Sequence, residues 1–138
     1  MKITLTKPQH KVSSSKKRFR VLVSGRRFGK TYLCITEMMK YASKVKQNIW
    51  YVAPTFKMAR EIVWSQLKEM LYSFNWIENV NESNLTITIK KTGSKISLKG
   101  CENYDGLRGS GINFLILDEF ADIDEKAWTE VLRASVAD

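Results

Sequence analysis

Eight residues near the amino terminus restrict this chain more than any others. Ser24-Gly25-Arg26-Arg27-Phe28-Gly29-Lys30-Thr31 lies between the apolar, β-branched run at 19–23 and a segment in which Leu33, Ile35, Met38, Met39 and Ala42 recur at helical spacing. Strand, glycine turn, helix is the order a phosphate-binding loop requires. The eight residues match GxxxxGK[ST] except at Ser24, which stands where the pattern has its first glycine. In such a loop Gly29 lets the backbone approach a phosphate, and the N–H groups of Ser24, Gly25, Arg26, Arg27 and Phe28 with the helix N-terminus surround its oxygens. Lys30 reaches the β- and γ-phosphates and Thr31 ligates magnesium. The plainer reading of the same residues is a strand-to-helix turn with exposed cations.

A second chemical feature lies far along the chain. Residues 112–117 read as a buried strand, in which the four apolar residues Phe114-Leu115-Ile116-Leu117 run into Asp118-Glu119. Beside a phosphate loop, Asp118 is expected to bind Mg2+ directly or through water, and Glu119 to polarise the water that attacks the γ-phosphate of ATP. Between the two features the run at 48–53, closed by Pro54, predicts a strand, and residues 56–71 a helix. Residues 85–89 and 95–98 alternate apolar and polar across the turn at 91–94, which predicts a hairpin with one solvated face. The loop at 100–111 is glycine-rich, and Asp124 is placed to cap a final helix. Alternating strands and helices predict a mostly parallel sheet with helices on both faces, and ligands at the carboxyl ends of its strands. Both chemical features fall at such ends.

At 138 residues the chain fits one domain. Residues 1–17, with Pro8, three consecutive serines and several lysines, read as a polar basic leader with little to bury, and 18–138 as the folded core. The net charge of +9 favours a polyanionic partner. Lys11, Lys16, Lys17, Arg18 and Arg20 either touch DNA or form a solvated tail. Cys34 and Cys101 belong to no metal-ligand cluster, and the single histidine, His10, excludes a multi-histidine site. No apolar run approaches a membrane span, so the expectation is a protein of the cytoplasm that contacts no membrane.

With these residues in view, the sequence resembles the ATPase domain of viral terminase large subunits, the motors that move DNA into preformed capsids. The resemblance runs from about residue 19 to the end. It rests on the arginine-bearing GRRFGKT loop, Tyr51-Val52-Ala53-Pro54-Thr55 with Trp64 in the helix that follows, Gly106-Leu107-Arg108-Gly109, and Leu117-Asp118-Glu119-Phe120-Ala121. It implies a three-layer α/β P-loop NTPase fold of the ASCE, RecA-like type, here with an inserted β-hairpin. It also implies that Arg26 senses or stabilises the γ-phosphate, with Arg27 the local competitor. ATP and Mg2+ are the implied cofactors. The implied partners are double-stranded DNA, the portal protein, the small terminase subunit and further copies in a ring, at the procapsid portal in the host cytoplasm.

The same resemblance leads one to expect a coupling strand and a nuclease domain after Glu119, and the chain stops before both, so it reads as an amino-terminal portion. Pro54-Thr55 either lies near the nucleic-acid path or simply starts a helix. Tyr104 and Arg108 are candidates for a DNA or nucleotide contact. Trp50, Trp64, Trp76 and Trp128 read as core or interface residues. A DExx-type helicase fragment shares the loop and the acidic pair. A non-catalytic basic fragment that binds nucleic acid is the reading from another class.

Overall fold

Apolar residues at period two in the strands and near 3.6 in the helices give each element one face to bury, and layers are the way to bury them together. A computed structural model of the chain describes residues 3–15 and 29–136. The strand expected at 19–23 and loop residues 24–28 lie outside the described residues. The elements are α1 (Lys7–Ser14), α2 (Lys30–Ala42), β1 (Asn48–Ala53), α3 (Phe56–Ala59), a π-helical turn over Arg60–Trp64 that leads directly into α4 (Ser65–Ser73), β2 (Ile77–Asn81), β3 (Thr86–Ile89), β4 (Lys95–Gly100), β5 (Phe114–Leu117) and α5 (Arg133–Ser135). The last ends a helical stretch that starts behind Asp124, whose carboxylate accepts from Lys126 N at 2.9 Å.

The described strands form one mixed sheet in the order β2-β3-β4-β1-β5. β1 runs parallel to β4 and to β5, whereas β3 is antiparallel to β2 and to β4. The expected hairpin is present as β3 and β4, and β3 keeps its alternation of burial. Its second strand departs from the expected solvated face: Ile96, Ser97 and Leu98 are buried in succession. β4 sits between β3 and β1, and a strand flanked on both sides has little open surface. The edge strand β2 is absent from the sequence-based expectation. Ile77-Glu78-Asn79-Val80-Asn81 has no clean alternation and carries a register shift between Ile77 and Asn79, so its conformation is set by pairing with β3.

Two cores follow from the alternation. On one face Ile49, Tyr51, Ala53, Ile87, Ile96 and Leu98 pack with Ile35, Met38, Met39 and Ala42 of α2 and with Val63, Trp64, Leu67 and Leu71 of the α3–α4 helix. On the other, Trp50 and Val52 pack with Ile123, Ala127, Val131 and Leu132 of the final helical stretch. The helices therefore lie on both sides of the sheet. The tryptophans behave as read: Trp50 and Trp64 are buried, and Trp76 and Trp128 pack on the two cores.

The leader holds more structure than its composition suggests. Thr6 and Gln9 form a reciprocal capping box at the start of α1, with a proline in the first turn. Gln9 is buried, and its amide donates to Gly29 O at 3.1 Å. Thus α1 is tied to Gly29, the residue immediately before α2.

One glycine is imposed by packing. A Cβ at Gly100 would land on Phe56 N, Thr55 C and Glu102 Oε1, where the end of β4 meets the start of α3. The Glu102 carboxylate accepts from Phe56 N there, at 3.0 Å through Oε2. We expect Gly100→Ala to lower unfolding stability by about 1–3 kcal/mol, the usual cost of overpacking. Gly111→Ala, where an added Cβ meets nothing within 4 Å, should stay near wild type. Urea midpoints of the two variants check this, and equal midpoints would show that the junction yields freely.

Candidate functional site

The direction in which α2 crosses the sheet builds the site. Period two sends Phe114, Ile116 and Asp118 to one face and Leu115 and Leu117 to the other, as their division between the two cores shows. α2 covers the first of these faces. Near its C-terminal end the Tyr41 ring stacks on Phe114 at 4.1 Å between centroids. Eleven helical residues before Tyr41 rise about 16 Å, and four strand residues beyond Phe114 advance about 13 Å. The N-terminus of the helix therefore arrives at the carboxyl end of β5.

Lys30 and Asp118 meet at that point. Lys30 Nζ lies 3.2 Å from Asp118 Oδ1 and 3.7 Å from Glu119 Oε1. Asp118 is only 5% exposed, while the Lys30 and Glu119 side chains are 40% and 44% exposed. The aspartate is held from several directions. Its N–H continues the sheet ladder to Val52 O at 2.9 Å, Oδ1 accepts from Glu119 N at 2.9 Å, and Oδ2 accepts from the Tyr51 hydroxyl at 2.5 Å. Burial alone would lower the Lys30 pKa, but the Asp118 and Glu119 charges outweigh it and raise it. Burial also raises the Tyr51 phenol, reinforced by its bond to Asp118, so the tyrosine remains a donor.

Gly29 and Glu119 supply the unusual backbone. Gly29, which precedes the first turn of α2, has φ 75°, and a Cβ there would stand 2.5 Å from Gln9 Nε2. Only glycine fits both demands without strain. Glu119 has φ 53° and ψ 46°, a left-handed conformation that costs a non-glycine residue of order 1 kcal/mol. It turns the chain out of β5 into a short 3-10 turn at Phe120–Asp122.

The expected site residues thus divide into three groups. Gly29, Lys30, Thr31, Asp118 and Glu119 are described: Lys30 meets both carboxylates, and Thr31 lies beside it on the first turn of α2. Ser24, Gly25, Arg26, Arg27 and Phe28 lie outside the described residues, as do Lys16, Lys17, Arg18 and Arg20 of the leader. Tyr104 and Arg108 are engaged elsewhere. Tyr104 packs on the second core, and Arg108 pairs with Asp105 at 3.0 Å and approaches Glu130 at 3.9 Å on the final helical stretch. Thr55 caps α3 by accepting from Met58 N at 3.1 Å.

Sequence reasoning missed Tyr51 and Gln9 as site residues. Tyr51 touches Asp118 because β1 and β5 pair with Tyr51 opposite Ile116, a register no local pattern discloses. For Gln9 a signal exists, since Thr6-Lys7-Pro8-Gln9 has the spacing of a capping box.

Comparisons with known proteins bear on the family and the fold. The family model described as terminase large subunit, T4likevirus-type, N-terminal, matches residues 21–138. No curated protein matches the chain. Among solved structures, the large terminase ATPase domain of Thermus phage P74-26 superposes with a TM-score of 0.79 at 24% identity, over 94% of this chain and 59% of that one. The large terminase of a second phage, a thermophilic bacteriophage, gives 0.76 at 22% identity, over 96% and 36%. That second phage protein in complex with ADP gives 0.77 at 22%, over 98% and 36%. The chain therefore spans less than two thirds of each of these relatives, and at such identities the superposition speaks for the fold.

Two cysteines make the surroundings of the site testable. Burial, reinforced by Asp118, pushes the Cys34 thiol from 9.0 up to about 12, and burial pushes Cys101 up to about 11. An unfolded chain releases these protons near pH 9, before the folded chain does, so it binds fewer protons above that pH. Stability is then complete below pH 9 and falls as pH rises toward 12. We expect urea midpoints to drop between about pH 9 and pH 10.5, and Cys34→Ala to make the drop shallower. An identical slope in that variant would contradict the assignment.

Proposed function

Because the chain belongs to the family of T4-like-virus-type terminase large subunits, in their N-terminal portion, we propose that it binds ATP with Mg2+ and hydrolyses it to drive double-stranded DNA into a procapsid. The observation that carries this reading is the convergence of Lys30 with Asp118 and Glu119 where the N-terminus of α2 meets the end of β5. A helix N-terminus with a lysine in its first turn favours phosphate, and two carboxylates opposite it favour a cation bound with that phosphate. The ADP complex of the thermophilic bacteriophage relative supports nucleotide as the ligand.

The residues present fit magnesium. Mg2+ takes oxygen ligands, keeps several waters and is normally held by one or two protein oxygens plus phosphate. The Thr31 hydroxyl and the Asp118 carboxylate are oxygen donors of that kind. Among the described residues no group of three or more His, Cys, Asp or Glu could form an all-protein cage. When bound, the ion would supply charge neutralisation on the phosphate oxygens.

The side chains divide the work. Lys30 carries a positive charge to the β- and γ-phosphates, from a position in which its present partner is a carboxylate it can share. Glu119, half-exposed and turned out of the strand, is the base that orients and polarises the attacking water. Ser24, Gly25, Arg26, Arg27 and Phe28 form the remainder of the phosphate loop, with Arg26 stabilising the γ-phosphate. In the complete motor the chain works as part of a homo-oligomeric ring with the portal protein and the small terminase subunit, in the host cytoplasm. No described helix is long and apolar enough to cross a membrane.

Two variants test the reading. Lys30→Ala should abolish measurable nucleotide binding. Glu119→Gln should bind as wild type does, while γ-phosphate release falls by about 10²–10⁴-fold, the contribution of general base catalysis. Equal nucleotide affinity in wild type and Lys30→Ala, measured by fluorescence titration, would remove the assignment.

A further inference from the structure

We propose that Tyr51 is a positioning residue of this site: its hydroxyl fixes the Asp118 carboxylate in the orientation needed by the divalent cation that accompanies the nucleotide. The proposal rests on the nucleotide-site reading above and assigns a task to a residue outside the phosphate loop and the acidic pair.

Packing alone does not account for the phenol. Tyr51 is 0% exposed in the centre of β1, among Ile49, Ala53, Phe114 and Ile116. A phenylalanine would fill that space without carrying a hydroxyl out of water, which is unfavourable unless the hydroxyl finds a partner. Its partner is Asp118 Oδ2 at 2.5 Å.

The bond also completes the fixation of the carboxylate. Oδ1 is already held by Glu119 N at 2.9 Å and approached by Lys30 Nζ at 3.2 Å, so Tyr51 is the group that sets where Oδ2 points. A carboxylate oxygen has two acceptor sites. Tyr51 uses one on Oδ2, which leaves that atom a second acceptor site. Because Val52 O holds Asp118 N, the two ends of Asp118 are tied to adjacent residues of the same strand, β1. Shifting β1 against β5 would therefore move the carboxylate.

Groups that orient a metal ligand typically change metal affinity by 10–100-fold when removed. The test compares the affinity of the whole chain for a fluorescent ADP analogue in EDTA and in Mg2+, for wild type and Tyr51→Phe. We expect metal-free affinity to change little, and the Mg2+ concentration for half-maximal gain to rise by at least about 10-fold. A residue that merely filled space would leave the Mg2+ dependence where it was, and that outcome in a folded variant overturns the proposal. If wild type gains no affinity from Mg2+, both this proposal and the nucleotide-site reading fall. If wild type gains affinity and Tyr51→Phe gains it at the same Mg2+ concentration, this proposal alone falls.

Should Tyr51→Phe fail to fold, the wild-type chain decides by carbon-13 NMR of the tyrosine Cζ. The Tyr51 resonance, assigned with variants at Tyr32, Tyr41, Tyr72 and Tyr104, should shift when Mg2+ joins bound ADP. No shift on adding Mg2+ counts against the proposal.

Discussion

The site depends on one packing direction: α2 lies antiparallel to β5. With Tyr41 stacked on Phe114 at one end, Lys30 is brought to Asp118 at the other. The apolar stripe of α2, with Ile35, Met38, Met39 and Ala42 all buried, holds the helix in that direction. Burial of this stripe and of the strands beneath it supplies the stability, on the order of 2 kcal/mol for each fully buried large side chain. The partly exposed ion pair adds little by comparison. Apolar packing thus positions the charges.

The two neighbouring carboxylates are treated differently by the fold. Asp118 continues the strand ladder and faces α2, where a phenol, an amide and an ammonium surround it. Such a group is preorganised, and a cation that meets it requires little rearrangement. One residue later the backbone enters the left-handed region, which carries Glu119 out of the sheet and leaves it half-exposed. The base role proposed for Glu119 needs that access. The strained turn is what separates the fixed carboxylate from the accessible one.

How far the sequence discloses this follows from the range of each interaction. The helical repeat of α2, the strands β1 and β5 and the hairpin of β3 with β4 are written in local periodicity, and so are Gly29, Lys30, Asp118 and Glu119. Position within the sheet is not local. Nothing in Lys95-Ile96-Ser97-Leu98 states that β4 will be flanked on both sides, and Ile77 to Asn81 become a strand through pairing with β3. Tyr51 reads as an ordinary core residue until the β1–β5 register sets it beside Asp118. For α1 the composition of lysines and serines conceals a capping signal whose spacing is there to be read. The tether from Gln9 to Gly29 spans two segments, which no local pattern records.

If the start of α2 and the end of β5 serve a single nucleotide, a crystal structure of the chain with Mg2+ and a non-hydrolysable ATP analogue will show it. Phosphate oxygens should then lie within hydrogen-bond reach of Lys30 Nζ, and the metal beside the Asp118 carboxylate. A nucleotide seated elsewhere on the chain, with Lys30 still paired to Asp118, would contradict this.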